Sequence, residues 1–254
     1  MIRTSRAIRR QLENVPLPPY QGTLLYPSGP NTLYQTKAQV FTFSYSFSLM
    51  FNQSAAIKIK ENACDPKEKE QWQEIINPKF QLGGCGYTHS IPNYGRVAKE
   101  GLASYQERIS RYKDEASLTE DKQKVELYQG LENVLIGIKS LHQRIIMTIG
   151  KSSSDGTNKK LLLKAYQSVP FLPATTFYEA LIATNFIFYL DGCDSLGRID
   201  YELGGFYRND LKSGKIIRQK AIELMRIFWQ NFDVNNGWNV AIGGSKPDGT
   251  PAYN

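Results

Sequence analysis

Apolar residues recur at helical spacing through most of the chain and alternate in only one stretch. Tyr94, Val97, Gly101, Tyr105, Ile109 and Tyr112 follow steps of three and four, which predicts one long helix. Val125, Tyr128, Leu131, Leu135, Ile138, Leu141, Ile145 and Ile149 form a second stripe, predicting a helix over about 119–149. A shorter helix is expected around 158–168, ending before Pro170. Thr176 and Glu179 form a capping box ahead of FYEALIATNFIFYL, a run apolar on nearly every side and so expected to be buried. Ile217, Ala221, Leu224 and Phe228 mark one face of a further helix, and 66–77 reads as a short charged one.

The alternating stretch is 39–51, where Phe41, Phe43, Tyr45, Phe47 and Leu49 oppose Val40, Thr42, Ser44, Ser46 and Ser48. Period two with aromatics argues for a strand, while a face carrying almost only hydroxyls leaves a helix open, and Asn239–Ile242 reads as a short strand. Residues 15–36 hold five prolines and two glycines, too broken for regular structure, and read as an extended arm on a larger body. Gly83–Tyr94 is a loop feeding the long helix, and Asp191–Asp200 is a loop rich in reactive groups. Gly243-Gly244 and Asp248-Gly249 are turn signals. The expected fold is α/β and predominantly α-helical with few strands. It is one unit over 1–254, with an arm at 1–36 and a body at 37–254.

Charge changes this picture little. The 254 residues carry 31 Lys+Arg against 24 Asp+Glu, a formal +7. Arg3, Arg6, Arg9 and Arg10 concentrate much of that excess at the N-terminus, read as a solvated helix, and the rest is nearly balanced. A nucleic-acid binder would gather its cations on one face among aromatics, and no such stripe is evident, so no nucleic-acid partner is expected. The mean hydropathy is −0.41, and no apolar run approaches the roughly 20 residues that span a bilayer. A cytoplasmic protein without a membrane partner is the expectation. Cys64, Cys85 and Cys193 are an odd, widely spaced set that suits reduced thiols. With His89 and His142 they assemble no zinc pattern, so no metal site is expected.

Candidate chemistry sits in two loops. Gly83–Gly86 could cradle a phosphate ahead of a helix, but it matches no nucleotide-binding fingerprint and equally suits a tight turn. His89 closes that loop, and a histidine there could orient a substrate hydroxyl or hold a hydrogen bond of the fold. Cys193, Asp194, Ser195, Arg198 and Asp200 bring a thiol, carboxylates, a hydroxyl and a guanidinium within eight residues. Arg198 could pair with a carboxylate of the substrate or of the protein, the second case being an internal Arg–Asp pair that fixes the turn. No base is evident to activate Cys193.

Four collinear segments carry a resemblance. GGCGYTHSIPNYGRVAKEGL is similar to GHTxPDYxxVLxxGL, and FLPATTFYEALIATNFIFYL to PAxTFxEALQxxWFxxL. DSLGRIDYELGGFYRNDLKSGKI is similar to SxGRxDQYLYPYYxxDLxxGxI, and WNVAIGGSKPDGTPAYN to a GGxDxDGxDAxN ending. Together they span about 83–254 and resemble the glycyl radical enzymes, in their pyruvate formate-lyase-like domain. Asn93 replaces an aspartate of the first pattern, and Gly204-Gly205 replace bulkier residues of the third. The His-Ser pair of diol dehydratases is missing near Cys193, so that activity is not supported.

The resemblance implies a partial glycyl-radical-enzyme barrel. It implies a lyase of anaerobic metabolism acting on a small polar metabolite, in which a thiyl cysteine is charged by a glycyl radical. Both radical positions would fall beyond Asn254, on a C-terminal segment carrying the Cys and Gly, so no catalytic residue is expected in 1–254. The chain would be the N-terminal fragment or subunit of such an enzyme. It would bind no cofactor, depend on a radical-SAM activating enzyme, and be compatible with a homodimer. Substrate contacts would come from His89, Cys193, Asp194, Ser195 and Arg198. The other reading is a radical-inactive scaffold or binding protein of the same domain type.

Overall fold

A computed structural model of the chain describes residues 2–30, 60–76, 91–154, 156–193, 195–246 and 248–251. The chain divides into two compact units, 1–33 with 91–254, and 34–90. In the smaller unit the described part is a helical turn at 60–62 and helix α2 (Pro66–Ile76). Asp65 caps α2, its Oδ1 accepting the Lys67 amide at 2.9 Å, and Lys60 donates to the Gln73 side chain. The alternating stretch 39–51 and the Gly83–Gly86 loop lie outside the described residues.

The larger unit contains α1 (Ile2–Asn14), α3 (Tyr94–Leu118), α4 (Lys122–Lys151), α5 (Thr157–Tyr166), α6 (Phe177–Leu190), α7 (Ile199–Lys212) and α8 (Arg218–Val234). The described residues are therefore mostly helical. Strand pairing among them is confined to two isolated bridges, Gly197 with Val240 and Ser245 with Pro251. The segment expected as a strand at 239–242 makes only the first of these. Helix α7 has no counterpart in the hydrophobic pattern, because Gly204-Gly205 and its charged residues mask the apolar positions Ile199, Leu203 and Tyr207. No helix among the described residues is long and apolar enough to cross a membrane.

Helix α6 is the centre of the core, with Phe177 and every residue from Ala180 to Tyr189 buried. Burying a side chain of Leu, Ile or Phe size is worth about 1.5–3 kcal/mol, so this helix dominates the cohesion of the unit. Its start is capped twice. Thr176 Oγ1 accepts the Glu179 amide at 3.2 Å, and Asp210 Oδ2, reaching over from α7, accepts the Phe177 amide at 2.7 Å. The Glu179 carboxylate turns back to Thr175, accepting its amide and its hydroxyl at 2.7 Å each. Helix α8 packs on α6 through aromatic rings, Phe232 stacking on Phe188 with centroids 5.9 Å apart.

Helix α3 is not continuous. At Gly101 the backbone adopts φ 72 and ψ 158, and the chain 170–174 crosses at this kink. Pro170 and Phe171 carbonyls accept the Leu102 and Ala103 amides at 2.8 and 3.0 Å, and Ala174 donates to Ala98 at 2.8 Å. The crossing thus takes over the hydrogen bonds the kink removes from the helix. Beyond the kink α3 and α4 run as a hairpin, joined by stacking of Tyr112 on Tyr128 and by Lys113 with Glu132 at 2.5 Å. The α4 stripe is buried only in its second half, at Ile138, Leu141, Ile145 and Ile149, while Leu131 is exposed.

The N-terminal segment is a helix with Arg3, Arg6 and Arg10 exposed, and the solvated reading is corrected only on its other face, which is docked. Ser5 and Leu12 of α1 are buried, and Gly137 of α4 lets the two backbones approach so closely that a Cβ there would lie 2.9 Å from Arg9 Cα. Arg144 of α4 then donates to the Leu12 and Val15 carbonyls. Residues 15–30 continue without helix or strand, yet Leu24, Leu25 and Tyr26 are buried. Leu25 accepts the Thr23 hydroxyl at 2.6 Å, and four other carbonyls of the segment are satisfied by side chains of the helices. Tyr178 donates to Leu24 at 2.7 Å, Tyr166 to Tyr26, Asn185 to Pro27 at 3.0 Å and Tyr189 to Gly29 at 2.5 Å.

His142 of α4 is buried against Tyr166, Phe171 and Phe186. Its Nε2 donates to the Val169 carbonyl at 3.2 Å. Burial lowers its pKa, so the neutral ring belongs to the core.

Candidate functional site

The loop that follows α6 is shaped by two consecutive left-handed residues, Gly192 at φ 93 and Cys193 at φ 61. The Asp191 and Cys193 amides return to the Ile187 and Phe188 carbonyls at 2.8 Å each, closing the helix end in a tight turn. This folds the Cys193 side chain inward, where it is buried. Ser195 is completely buried, its carbonyl accepting the Tyr94 hydroxyl at 3.0 Å. Its Oγ finds no hydrogen-bond partner among the described residues. Tyr94 opens α3, whose start is capped by Asn93 Oδ1 accepting the Arg96 amide at 2.9 Å. The neutral Asn93 keeps the capping acceptor that an aspartate would supply.

Arg198 stands at the start of α7 and pairs in a fork with Asp200, Nε to Oδ1 at 3.0 Å and a second guanidinium nitrogen to Oδ2 at 3.1 Å. Asp200 Oδ2 also accepts the Gly243 amide at 2.9 Å. The Arg198 bond is the main reason the Asp200 carboxyl is held below its ordinary range, with the Gly243 and Tyr201 amides adding to it. The same pair raises the Arg198 pKa. Of the two roles open to Arg198, the structure thus gives it an internal carboxylate. The fork joins the loop to the chain 239–243, which runs beside it. Leu196 donates to Asn239 at 3.0 Å and Ala241 to Gly197 at 2.8 Å.

Cys193, Ser195 and Arg198 are thus gathered on one short turn at the end of the buried helix. Cys193 and Ser195 face the interior, while Arg198 remains about one third exposed. His89 and Asp194 lie outside the described residues.

Beside this turn the structure opens a groove of about 720 Å³ between α7 and α8, bordered by Asp200 and Ile242. Leu203 and Tyr207 of α7 and Ala221, Met225 and Trp229 of α8 make it apolar, while Arg208, Arg218 and Arg226 supply its cationic groups. Sequence reasoning missed it because it belongs to neither helix alone. The available signal was the spacing of Leu203 with Tyr207 and of Ala221, Met225 and Trp229, four residues apart on their respective helices.

The chain superposes on a part of each of several larger solved structures. Against the structure describing 1,2-propanediol dehydration in Roseburia inulinivorans, the TM-score is 0.69 at 19% identity, covering 100% of this chain and 37% of that one. Against a glycyl radical enzyme from Archaeoglobus fulgidus it is 0.67 at 18% identity, covering 100% and 40%. At these identities the likeness establishes the fold. The family model for pyruvate formate lyase-like proteins matches residues 60–254, and the chain belongs to that family. It is also 27% identical over 197 residues to the isethionate sulfite-lyase of Nitratidesulfovibrio vulgaris and 25% identical to that of Oleidesulfovibrio alaskensis. Each match covers 65% of this chain and 24% of the relative, so the chain spans about a quarter of the length of these curated relatives.

Proposed function

We propose that these residues form the scaffold and part of the substrate pocket of a glycyl radical lyase that acts on a small polar metabolite. The observation that carries the reading is the turn 191–200, where Cys193, Ser195 and Arg198 are fixed between the end of α6 and the chain 239–243 in a chain that belongs to this family. In this reading the thiyl cysteine and the glycine that stores the radical belong to polypeptide other than residues 1–254, and the helices described are part of an incomplete barrel. A radical-SAM activating enzyme would be the partner that installs the radical.

In this reading Asp200 is a positioning residue. It holds Arg198 and the Gly243 amide together, so the loop and the neighbouring chain move as one piece. The buried Ser195 hydroxyl, lacking a partner among the described residues, is available to a polar group entering the turn. The family relation to sulfite-lyases, and the likeness to a hydroxyproline dehydratase from Clostridioides difficile, support elimination from a hydroxylated or otherwise polar small molecule as the reaction class.

The test is anaerobic activation of the native assembly with its radical-SAM enzyme. It is read by the glycyl electron-paramagnetic-resonance signal and by turnover of candidate small hydroxylated substrates. A radical accompanied by turnover that falls in Ser195→Ala and Asp200→Asn supports the proposal. A fully activated assembly whose turnover ignores both substitutions contradicts it.

A further inference from the structure

The groove between α7 and α8 adjoins the turn 191–200 through Ile199 and Asp200 but extends well beyond it. Its two walls are helix faces of a kind that helices normally bury. On α8, Arg218, Ile222, Met225, Arg226 and Trp229 lie at spacings of three and four, and on α7 Leu203 with Tyr207 and Gly204 with Arg208 lie four apart. Ile222 is 42% exposed, unusual for a side chain of its kind within an amphipathic stripe. Two apolar stripes with a trough between them match the side chains of a third helix, presented every three to four residues.

The charges select the chemistry of that helix. Arg208, Arg218 and Arg226 are exposed, and none of them forms an ion pair with an acidic residue among the described residues. Asp200, the one carboxylate lining the groove among the described residues, is already committed to Arg198 and Gly243. The trough is therefore apolar along its floor and cationic along its rim, complementary to apolar side chains flanked by carboxylates.

We propose that the α7–α8 groove docks an acidic amphipathic helix of a partner polypeptide, with carboxylates meeting Arg208, Arg218 and Arg226. The inference rests on the reading that further polypeptide completes this unit. It adds the surface that this polypeptide contacts and the chemistry of the contact. Because Asp200 borders both the groove and the turn 191–200, an occupant would also press on the clamp that holds the loop.

Trp229 lies in the groove and reports on it directly. In a Trp72→Phe, Trp238→Phe background it is the one tryptophan left of three. The probe is a hydrocarbon-stapled helical peptide with leucines at i, i+3, i+4 and i+7 and glutamates on both flanks, titrated at low and at physiological salt. The expected result is a saturable blue shift of Trp229 emission, with binding about tenfold or more weaker for the same peptide carrying lysines. Arg208→Glu, Arg218→Glu and Arg226→Glu together should reverse that preference, and being exposed they leave the core intact. No shift, or equal affinity for both peptides, overturns the proposal.

In the native assembly, p-benzoylphenylalanine at position 222 should cross-link to a helix bearing carboxylates beside apolar residues, while the same probe at the 85% exposed Leu118 does not. Absence of the cross-link, or a cross-link to a basic segment or to a second copy of this chain, overturns the docking inference. Whether the cross-linked polypeptide carries the radical cysteine and glycine bears separately on the proposed function.

Discussion

Gly101 gives the most demanding test of how the structure is built. Its φ of 72 and ψ of 158 lie where essentially only glycine is comfortable, and a Cβ would sit 2.3 Å from the Phe171 carbonyl oxygen and 2.7 Å from the Leu172 carbonyl carbon. Gly101→Ala therefore meets two costs. Holding a side-chain-bearing residue in such a conformation costs about 1–3 kcal/mol, and relieving an overpacked contact costs about 1–3 kcal/mol more. The contact is with backbone, so no flexible side chain can give way. The bonds from Leu102 and Ala103 to the crossing segment would stretch as it retreats. The expected loss is about 2–6 kcal/mol, or roughly 5–20 °C in melting temperature for a chain of this size. Guanidinium unfolding followed by circular dichroism measures it, and the loss should appear in the midpoint with the slope unchanged. Gly205→Ala is the matched control, since no atom lies within 4 Å of its added Cβ and it sits inside helix α7. It should be neutral or stabilising by about 0.5–1 kcal/mol. If Gly101→Ala cost no more than Gly205→Ala, the account of the kink would be wrong.

Three other expectations follow from the structure. Asn185→Ala leaves the Pro27 carbonyl and the Asn231 side-chain amide without their partner. It should cost about 2–4 kcal/mol and expose residues 20–30 to limited proteolysis, and an unchanged cleavage pattern would show that the strap is held otherwise. Asp200→Asn removes the charge from the Arg198 fork and should cost about 1–2 kcal/mol at this partly exposed site. Faster hydrogen exchange at Gly243 would show the loss, and unaltered exchange would count against Asp200 as the clamp. His142, whose pKa is lowered from 6.5 by burial, binds a proton more readily in the unfolded chain. Its stability contribution is complete above pH 6.5 and declines as pH falls below it, and His142→Gln should flatten the midpoint-against-pH curve in that window.

The hydrophobic pattern made the larger helices legible because α6 and the second half of α4 bury the residues their spacing singled out. It misread α3, since Gly101 occupies a stripe position and nothing local marks it as a kink. The reason lies seventy residues away, in the crossing of Pro170 and Phe171. Ile217 illustrates a smaller error of the same kind. It reads as part of the α8 face but is the residue before the helix and is exposed, whereas Ala221, Leu224 and Phe228 are buried as expected. Helix α7 escaped notice because its charged residues and paired glycines break the pattern that its apolar face would otherwise show. At the site, the density of reactive groups in 191–200 was visible, and so was the alternative of an internal Arg198–Asp200 pair. The buried positions of Cys193 and Ser195 were not, because they depend on the left-handed turn at Gly192 and Cys193. The α7–α8 groove was equally hidden, since tertiary structure alone sets those two faces beside each other.

In the proposed function, residues 1–254 are part of a radical enzyme whose cysteine and glycine lie on other polypeptide. Native mass spectrometry of the protein isolated anaerobically from its source, followed by peptide mapping, tests it most directly. The expected result is that these residues are found joined to, or stably assembled with, polypeptide carrying the thiyl cysteine and the glycyl loop. A lone 28.8 kDa species without such a companion, folded and unchanged by the activating enzyme, would contradict it.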